Sequence, residues 1–181
     1  MTSTTAAAAD TANPSAALLE RVMRPYAGKG CIYLERASVD VHDCLAVGSG
    51  QFSIAESCYI DDTGHFNAVE FNISYNQLFY YTLAACIQDN VLPQFSGWTL
   101  EDYWPRQLPN ILIHRMSTNY SRPIDPRSYR AEMTITDIGF RHRSRAVVTV
   151  ETHIEFSDDK GGRATGDVSV AIIDPPAGHQ A

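Results

Sequence analysis

Between Phe71 and Gln88 the chain carries no charged residue, and Ile73, Leu78, Phe79, Leu83, Ala84, Cys86 and Ile87 fall on every side of a helical wheel. A helix that is apolar all round is buried, so the pattern predicts a core helix from Asn67 to Asp89, on the order of 35 Å long. Asn72, Ser74, Asn76 and Gln77 interrupt the apolar run, which argues against a membrane span. The last third has a different period. Tyr129, Ala131, Met133 and Ile135 alternate with polar neighbours, as do Ala146, Val148, Val150, Thr152, Ile154 and Phe156, so both stretches read as strands with one wet face. The turn Ser157 to Gly162 leads into a strand over Ala164 to Ile173, Ile111 to Tyr120 is another strand, and Pro175-Pro176 closes the series. Upstream, Ile32 to Val41 and Leu45 to Ile54 are two more strands. A short amphipathic helix over Ala16 to Arg24 takes Ser15 as its N-cap and Pro25 as its stop. Gln94 to Asn110, with Trp98, Tyr103 and Trp104, reads as irregular but packed. The order is helix, two strands, a long buried helix, four strands: an α+β layout in which an antiparallel sheet wraps around one long central helix.

The length of 181 residues suits one domain, placed here at 15–175, with 1–14 as a disordered tail and 176–181 as a short C-terminal tail. Met1 to Asn13 lacks the Lys or Arg of a signal peptide. Cys31, Cys44, Cys58 and Cys86 are spaced 13, 14 and 28 residues apart, too far for a zinc knuckle or redox motif; reduced thiols and a cytoplasmic location follow, with no metal expected. A net charge of −7 argues against nucleic-acid binding. Arg106 to Arg145 nevertheless holds eight arginines against Asp125, Glu132 and Asp137. That stretch is either a solvated, salt-bridged sheet face or, around Arg141, Arg143 and Arg145, a docking patch for an acidic partner.

Candidate chemistry gathers at the head of the central helix. Asn72, Asn76 and Tyr80 recur at i, i+4, i+8 and share one face, either as a satisfied core network or as the polar wall of a substrate channel. Thr63-Gly64-His65-Phe66-Asn67 places turn residues where the helix begins, and a first turn leaves backbone N–H groups free, a ready oxyanion hole if a thioester carbonyl reaches it.

Pro25-Tyr26, Lys29-Gly30-Cys31, Glu56-Ser57, Tyr59-Ile60, Thr63-Gly64-His65-Phe66-Asn67-Ala68-Val69-Glu70 and Asn76-Gln77-Leu78 together resemble the type III long-chain fatty acyl-CoA thioesterase family, over roughly Leu18 to Ile173. The resemblance implies a hot-dog fold without the acidic nucleophile or base common in other hot-dog enzymes, and puts the catalytic roles on Tyr26, Tyr59 and Asn76, with Asn67 nearby. Within the family the chain is similar to the isonitrile lipopeptide branch, the (2E)-enoyl-acyl-carrier-protein glycyltransferases. That implies conjugate addition of glycine to the β-carbon of an enoyl thioester on an acyl carrier protein, giving a (3R)-3-(carboxymethylamino) acyl chain, with thioester release linked to the same protein; no cofactor is implied.

Such an addition needs a polarised thioester carbonyl and glycine as the free amine, hence a base. His65 and Glu70 are the candidates, each with a structural alternative: a hydrogen-bonding His beside the Gly64 turn, and an acid favoured by the helix dipole. Tyr59 would donate to the enolate. Lys29, beside Tyr26, is the candidate for the glycine carboxylate, its alternative being a plain surface lysine. Acyl-thioester hydrolysis would share most of this site, and a non-catalytic acyl-binding module is the third reading. A hot-dog sheet leaves edges that a second copy completes, so a homo-oligomer is expected, with the strand Arg143 to Phe156 at such an edge.

Overall fold

The structure, a computed structural model, describes residues 14–42, 45–142 and 145–176, so Cys44, Arg143 and all of the expected tails except Pro14 and Pro176 lie outside the described residues. The elements run α1 (Pro14–Ala27), β1 (Leu34–His42), β2 (Leu45–Phe52), α2 (Ala68–Asp89), a 3-10 turn (Pro93–Phe95), α3 (Leu100–Tyr103), β3 (Ile111–Arg122), β4 (Tyr129–His142), β5 (Ala146–Ser157) and β6 (Arg163–Ile173). The six strands form one antiparallel sheet in the order β1-β2-β4-β5-β6-β3. This is the expected α+β hot-dog arrangement, with α2 lying along one face of the sheet.

Alternation along the strands decides which face α2 covers. Ala131, Met133 and Ile135 on β4, Val148, Val150, Ile154 and Phe156 on β5, and Val168, Val170 and Ile172 on β6 are buried against the helix. The intervening Arg130, Glu132, His153 and Asp167 point to the opposite, wet face. Phe71, Leu78, Phe79 and Leu83 of α2 fill the space between, and burying each such side chain contributes roughly 1.5–3 kcal/mol. Phe66, Phe71, Tyr129 and Phe156 meet tilted or edge-on, with ring centroids 4.8–6.1 Å apart. Helix and sheet approach closely at Gly48, where a Cβ would sit 2.0 Å from the Thr82 hydroxyl oxygen.

The structure departs from the sequence expectations in three places. α1 does not stop at Pro25 but runs through it to Ala27; a proline in the last turn removes only one helical hydrogen bond, and Gly28 and Gly30 then end the helix. Ser15 lies inside α1 instead of capping it, its hydroxyl 2.7 Å from the Tyr81 hydroxyl. The strand expected at an edge, β5, is paired on both sides, to β4 and β6, and the edges are β1 and β3. The segment after α2 is packed as expected, with Phe95, Trp98 and Tyr103 buried. Among the described residues no helix is long and apolar enough to cross a membrane.

Candidate active site

Asn67 is the N-cap of α2 and the centre of the site. Its side-chain oxygen accepts from the Val69 and Glu70 amides at 3.0 and 3.4 Å and from the Tyr59 hydroxyl at 2.8 Å. Glu70 completes a capping box by accepting the Asn67 amide at 3.1 Å. The expected oxyanion hole is therefore narrower than the helix start suggests, because the cap occupies three of its N–H groups. The amide of Ala68, the first residue of the helix, has no acceptor among the described residues.

The loop before the helix is built to hold Tyr59 and His65 in place. Gly64 takes φ +76°, a left-handed backbone that favours glycine, and its amide donates to Asp62 Oδ1 at 2.8 Å. Asp62 is ion-paired to Arg127, whose other guanidinium nitrogen donates to Ile54 O at 3.0 Å. His65 Nδ1 lies 3.0 Å from Thr63 O. A carbonyl only accepts, so Nδ1 is the donor in this contact, and the ring is exposed. Glu70, by contrast, is 3% exposed. Burial pushes its carboxyl above the usual range, while the Asn67 amide and the nearby Ser57 hydroxyl pull it back. Its capping role leaves it a structural acid with no open path to solvent, so of the two candidate bases His65 is the accessible one.

Further along α2, Asn76 Nδ2 donates to Asn72 Oδ1 at 3.2 Å, so the two asparagines form a pair on the outward face. Asn72 is exposed, Asn76 half-buried and Tyr80 buried, so the polar wall deepens along the helix. Tyr26, half-buried at the end of α1, faces Tyr80 and Cys31; burial first, then these two neighbours, raise its pKa well above the ordinary tyrosine value, which keeps the hydroxyl protonated and a donor. Lys29 is exposed, its amide donating to Tyr26 O at 3.0 Å, and its charge acts on the Cys31 thiol.

Contacts that the sequence does not reveal tie the start of β1 and the loop before α2 to this helix. Gln77 accepts from the Tyr33 and Leu34 amides, both at 2.9 Å, and donates to Cys31 O at 2.6 Å, fastening the start of β1 to α2. The Tyr33 hydroxyl donates to Cys58 Sγ at 3.1 Å. Cys31 and Cys58, distant in sequence, are neighbouring free thiols. Polar positions are thus set along α2 in three separate contacts, Tyr59 with Asn67, Asn72 with Asn76, and Tyr80 beside Tyr26. Among the described residues no group of three or more His, Cys, Asp or Glu side chains is placed to hold a metal ion. A depression of about 580 Å³ lies elsewhere, on the wet sheet face between Arg36, Arg130 and Glu155; Arg130 is ion-paired there to Asp159 and Glu155 to Arg163.

The profile of the FcoT-like thioesterase domain matches residues 21–172. The chain belongs to that family. Family members similar over nearly the full length include the (2E)-enoyl-[ACP] glycyltransferase of Streptomyces coeruleorubidus, 41% identical over 162 residues that span 88% of this chain and 98% of the relative. The protein of the same name from Mycobacterium marinum is 40% identical over 159 residues, 88% of this chain and 86% of the relative. Among solved structures, thioesterase superfamily member 2 from Mus musculus superposes with a TM-score of 0.51 over 89% of this chain and 98% of its own, at 8% identity. That likeness speaks for the fold of this FcoT-like domain and for nothing finer.

Proposed function

We propose that this FcoT-like enzyme adds glycine across the double bond of a (2E)-enoyl thioester carried by an acyl carrier protein. The observation that carries the reading is the near-full-length similarity to relatives of that name, at 40–41% identity. The geometry supplies a matching chemistry. The thioester carbonyl lies at the head of α2, where the Ala68 amide and the Tyr59 hydroxyl are the donors; Tyr59 gives up its 2.8 Å bond to Asn67 as charge develops on the oxygen. His65 Nε2 takes the proton of the glycine ammonium. The amine lone pair then forms the C–N bond at the β-carbon, leaving a secondary ammonium, and the double-bond electrons move onto the thioester oxygen; as the carbonyl re-forms, the α-carbon takes the proton that His65 had accepted. Nothing leaves and nothing is oxidised. Lys29 receives the glycine carboxylate, and the acyl chain lies along Asn72, Asn76 and Tyr80.

The working unit is a homo-oligomer, a dimer or higher. β3 is an edge strand of 12 residues whose outer backbone groups are unpaired, and the exposed apolar residues Tyr59, Ile60, Val69, Leu112 and Tyr120 lie on the loop, the helix start and that strand. A second copy is the partner that covers such an edge.

The family's description also keeps thioester hydrolysis in view, with water replacing the amine at the carbonyl carbon. The two are separated by following a crotonyl pantetheine thioester with and without glycine. Glycine addition predicts glycine-dependent loss of the conjugated enoyl absorbance without release of free thiol. Thiol release that ignores glycine would identify a hydrolase instead.

A further inference from the structure

The arginine-rich stretch is largely spent on its own protein. Arg106 donates to the Asp102 and Asp174 carbonyls, Arg127 pairs with Asp62, Arg130 with Asp159, Arg145 with Asp174, and Arg115 reaches Ser169 and Glu151. Arg122, at the end of β3, and Arg141, near the end of β4, are the arginines of that stretch with no side-chain hydrogen bond or ion pair among the described residues. Cations that gather without a carboxylate, among the described residues, lie on and just after α1. Arg21 and Arg24 sit one turn apart on α1, and Lys29 follows the helix. Glu20, the acid of the same helix, makes no ion pair with either arginine. Arg24 also stands in the last turn, where a cation meets the negative end of the helix dipole.

These arginines rim a cleft of about 230 Å³ between α1 and the segment that follows α3, lined by Arg21, Arg24, Pro25, Trp104, Leu108 and Pro109. The Arg21 guanidinium lies 5.2 Å from the Trp104 ring centre, and Leu108 is 53% exposed. The Gln107 side chain donates to Val22 O at 2.9 Å, which holds the two walls together. A cationic rim around a small apolar floor is complementary to a helix that carries acids around one or two apolar side chains.

We infer that this cleft is where the acyl carrier protein docks, an acidic helix of the carrier lying across Arg21 and Arg24 with an apolar side chain on Leu108 and Trp104. The inference rests on the carrier-bound substrate proposed above. The chain's net charge of −7 repels an acidic partner from most of its surface, so an unneutralised cationic spot sets the encounter. Tyr26, one of the candidate site residues, follows Arg24 and Pro25 on the same helix, so the cleft adjoins the site.

The test compares Arg21→Gln/Arg24→Glu with wild type on two substrates, crotonyl-loaded acyl carrier protein and crotonyl pantetheine, and measures direct binding of the loaded carrier. Docking on α1 predicts a KM for the carrier substrate raised roughly tenfold or more, weaker carrier binding, loss of its salt sensitivity, and unchanged turnover of the pantetheine thioester. Arg141→Glu serves as the comparison and should leave all four readouts alone. Unchanged carrier binding in the α1 variant, or an effect confined to Arg141→Glu, overturns the inference while leaving glycine addition standing. Carrier binding that weakens in the α1 variant, with no glycine added to either substrate by wild type, supports the docking surface and removes the proposed reaction.

Discussion

Tyr59 and Asn67 separate what a side chain does for the fold from what it does for the reaction. The Tyr59 hydroxyl makes one exposed hydrogen bond, to Asn67 Oδ1, so Tyr59→Phe should cost no more than about 0.5–1.5 kcal/mol in stability. Removing the donor to the enolate should lower the rate on the order of 100-fold. Denaturant unfolding and the glycine-dependent assay read the two separately, and a folded variant within a few-fold of wild-type rate would take Tyr59 out of the mechanism. Glu70 makes a different prediction. Burial is the first cause of its raised pKa, partly offset by the Asn67 amide, so the folded state tolerates the protonated carboxyl better than the carboxylate. Its contribution to stability is then fully present below the unfolded value, about 4.3, and is lost as pH rises through the folded value. Glu70→Gln keeps an acceptor for the Asn67 amide but does not titrate. The stability of wild type relative to the variant should therefore fall across that acid window and be level above it, as read by urea unfolding at a series of pH values. A difference that grows with pH would contradict the assignment. The turn residues and the acid at the head of α2 are visible in the sequence because they are local, within a few residues, although the Asn67…Glu70 box they form is not. The grip of Gln77 on Cys31, Tyr33 and Leu34, and the meeting of Cys31 with Cys58, are hidden too, since both join segments that only the tertiary fold brings together.

At the scale of elements, the period of the side chains carried most of the information. The strands with one wet face and the helix with none declared themselves through alternation and through the absence of charge from Phe71 to Gln88. Pro25 misled because proline is costly in a helix interior and tolerated in a last turn. The place of β5 inside the sheet was hidden for another reason: alternation says which face of a strand is buried, and nothing about which strands flank it. The contact between α2 and β2 offers a direct test. At Gly48 a Cβ would meet the Thr82 hydroxyl oxygen at 2.0 Å and its Cβ at 3.2 Å, so Gly48→Ala should destabilise by about 1–3 kcal/mol. The Thr82 oxygen has no hydrogen-bond partner, so Thr82→Ala removes the obstacle without orphaning another group. The double variant should recover much of the loss, a coupling on the order of 1 kcal/mol or more. Strictly additive effects in thermal or denaturant unfolding would mean that helix and sheet do not meet at this point.

For the whole molecule, the account joins one open sheet edge, the polar positions along α2 and one cationic cleft. A second copy along β3 predicts a mass of at least twice the 20.0 kDa chain by light scattering at micromolar concentration, and a monomer under those conditions would contradict it. The central claim is the reaction itself, and intact-protein mass spectrometry of the carrier tests it most directly. Crotonyl-loaded acyl carrier protein incubated with the enzyme and glycine should gain the mass of one whole glycine while remaining a thioester, and should gain nothing when glycine is omitted. A carrier that returns to its free-thiol mass in both incubations, or keeps its crotonyl mass in both, would contradict the account.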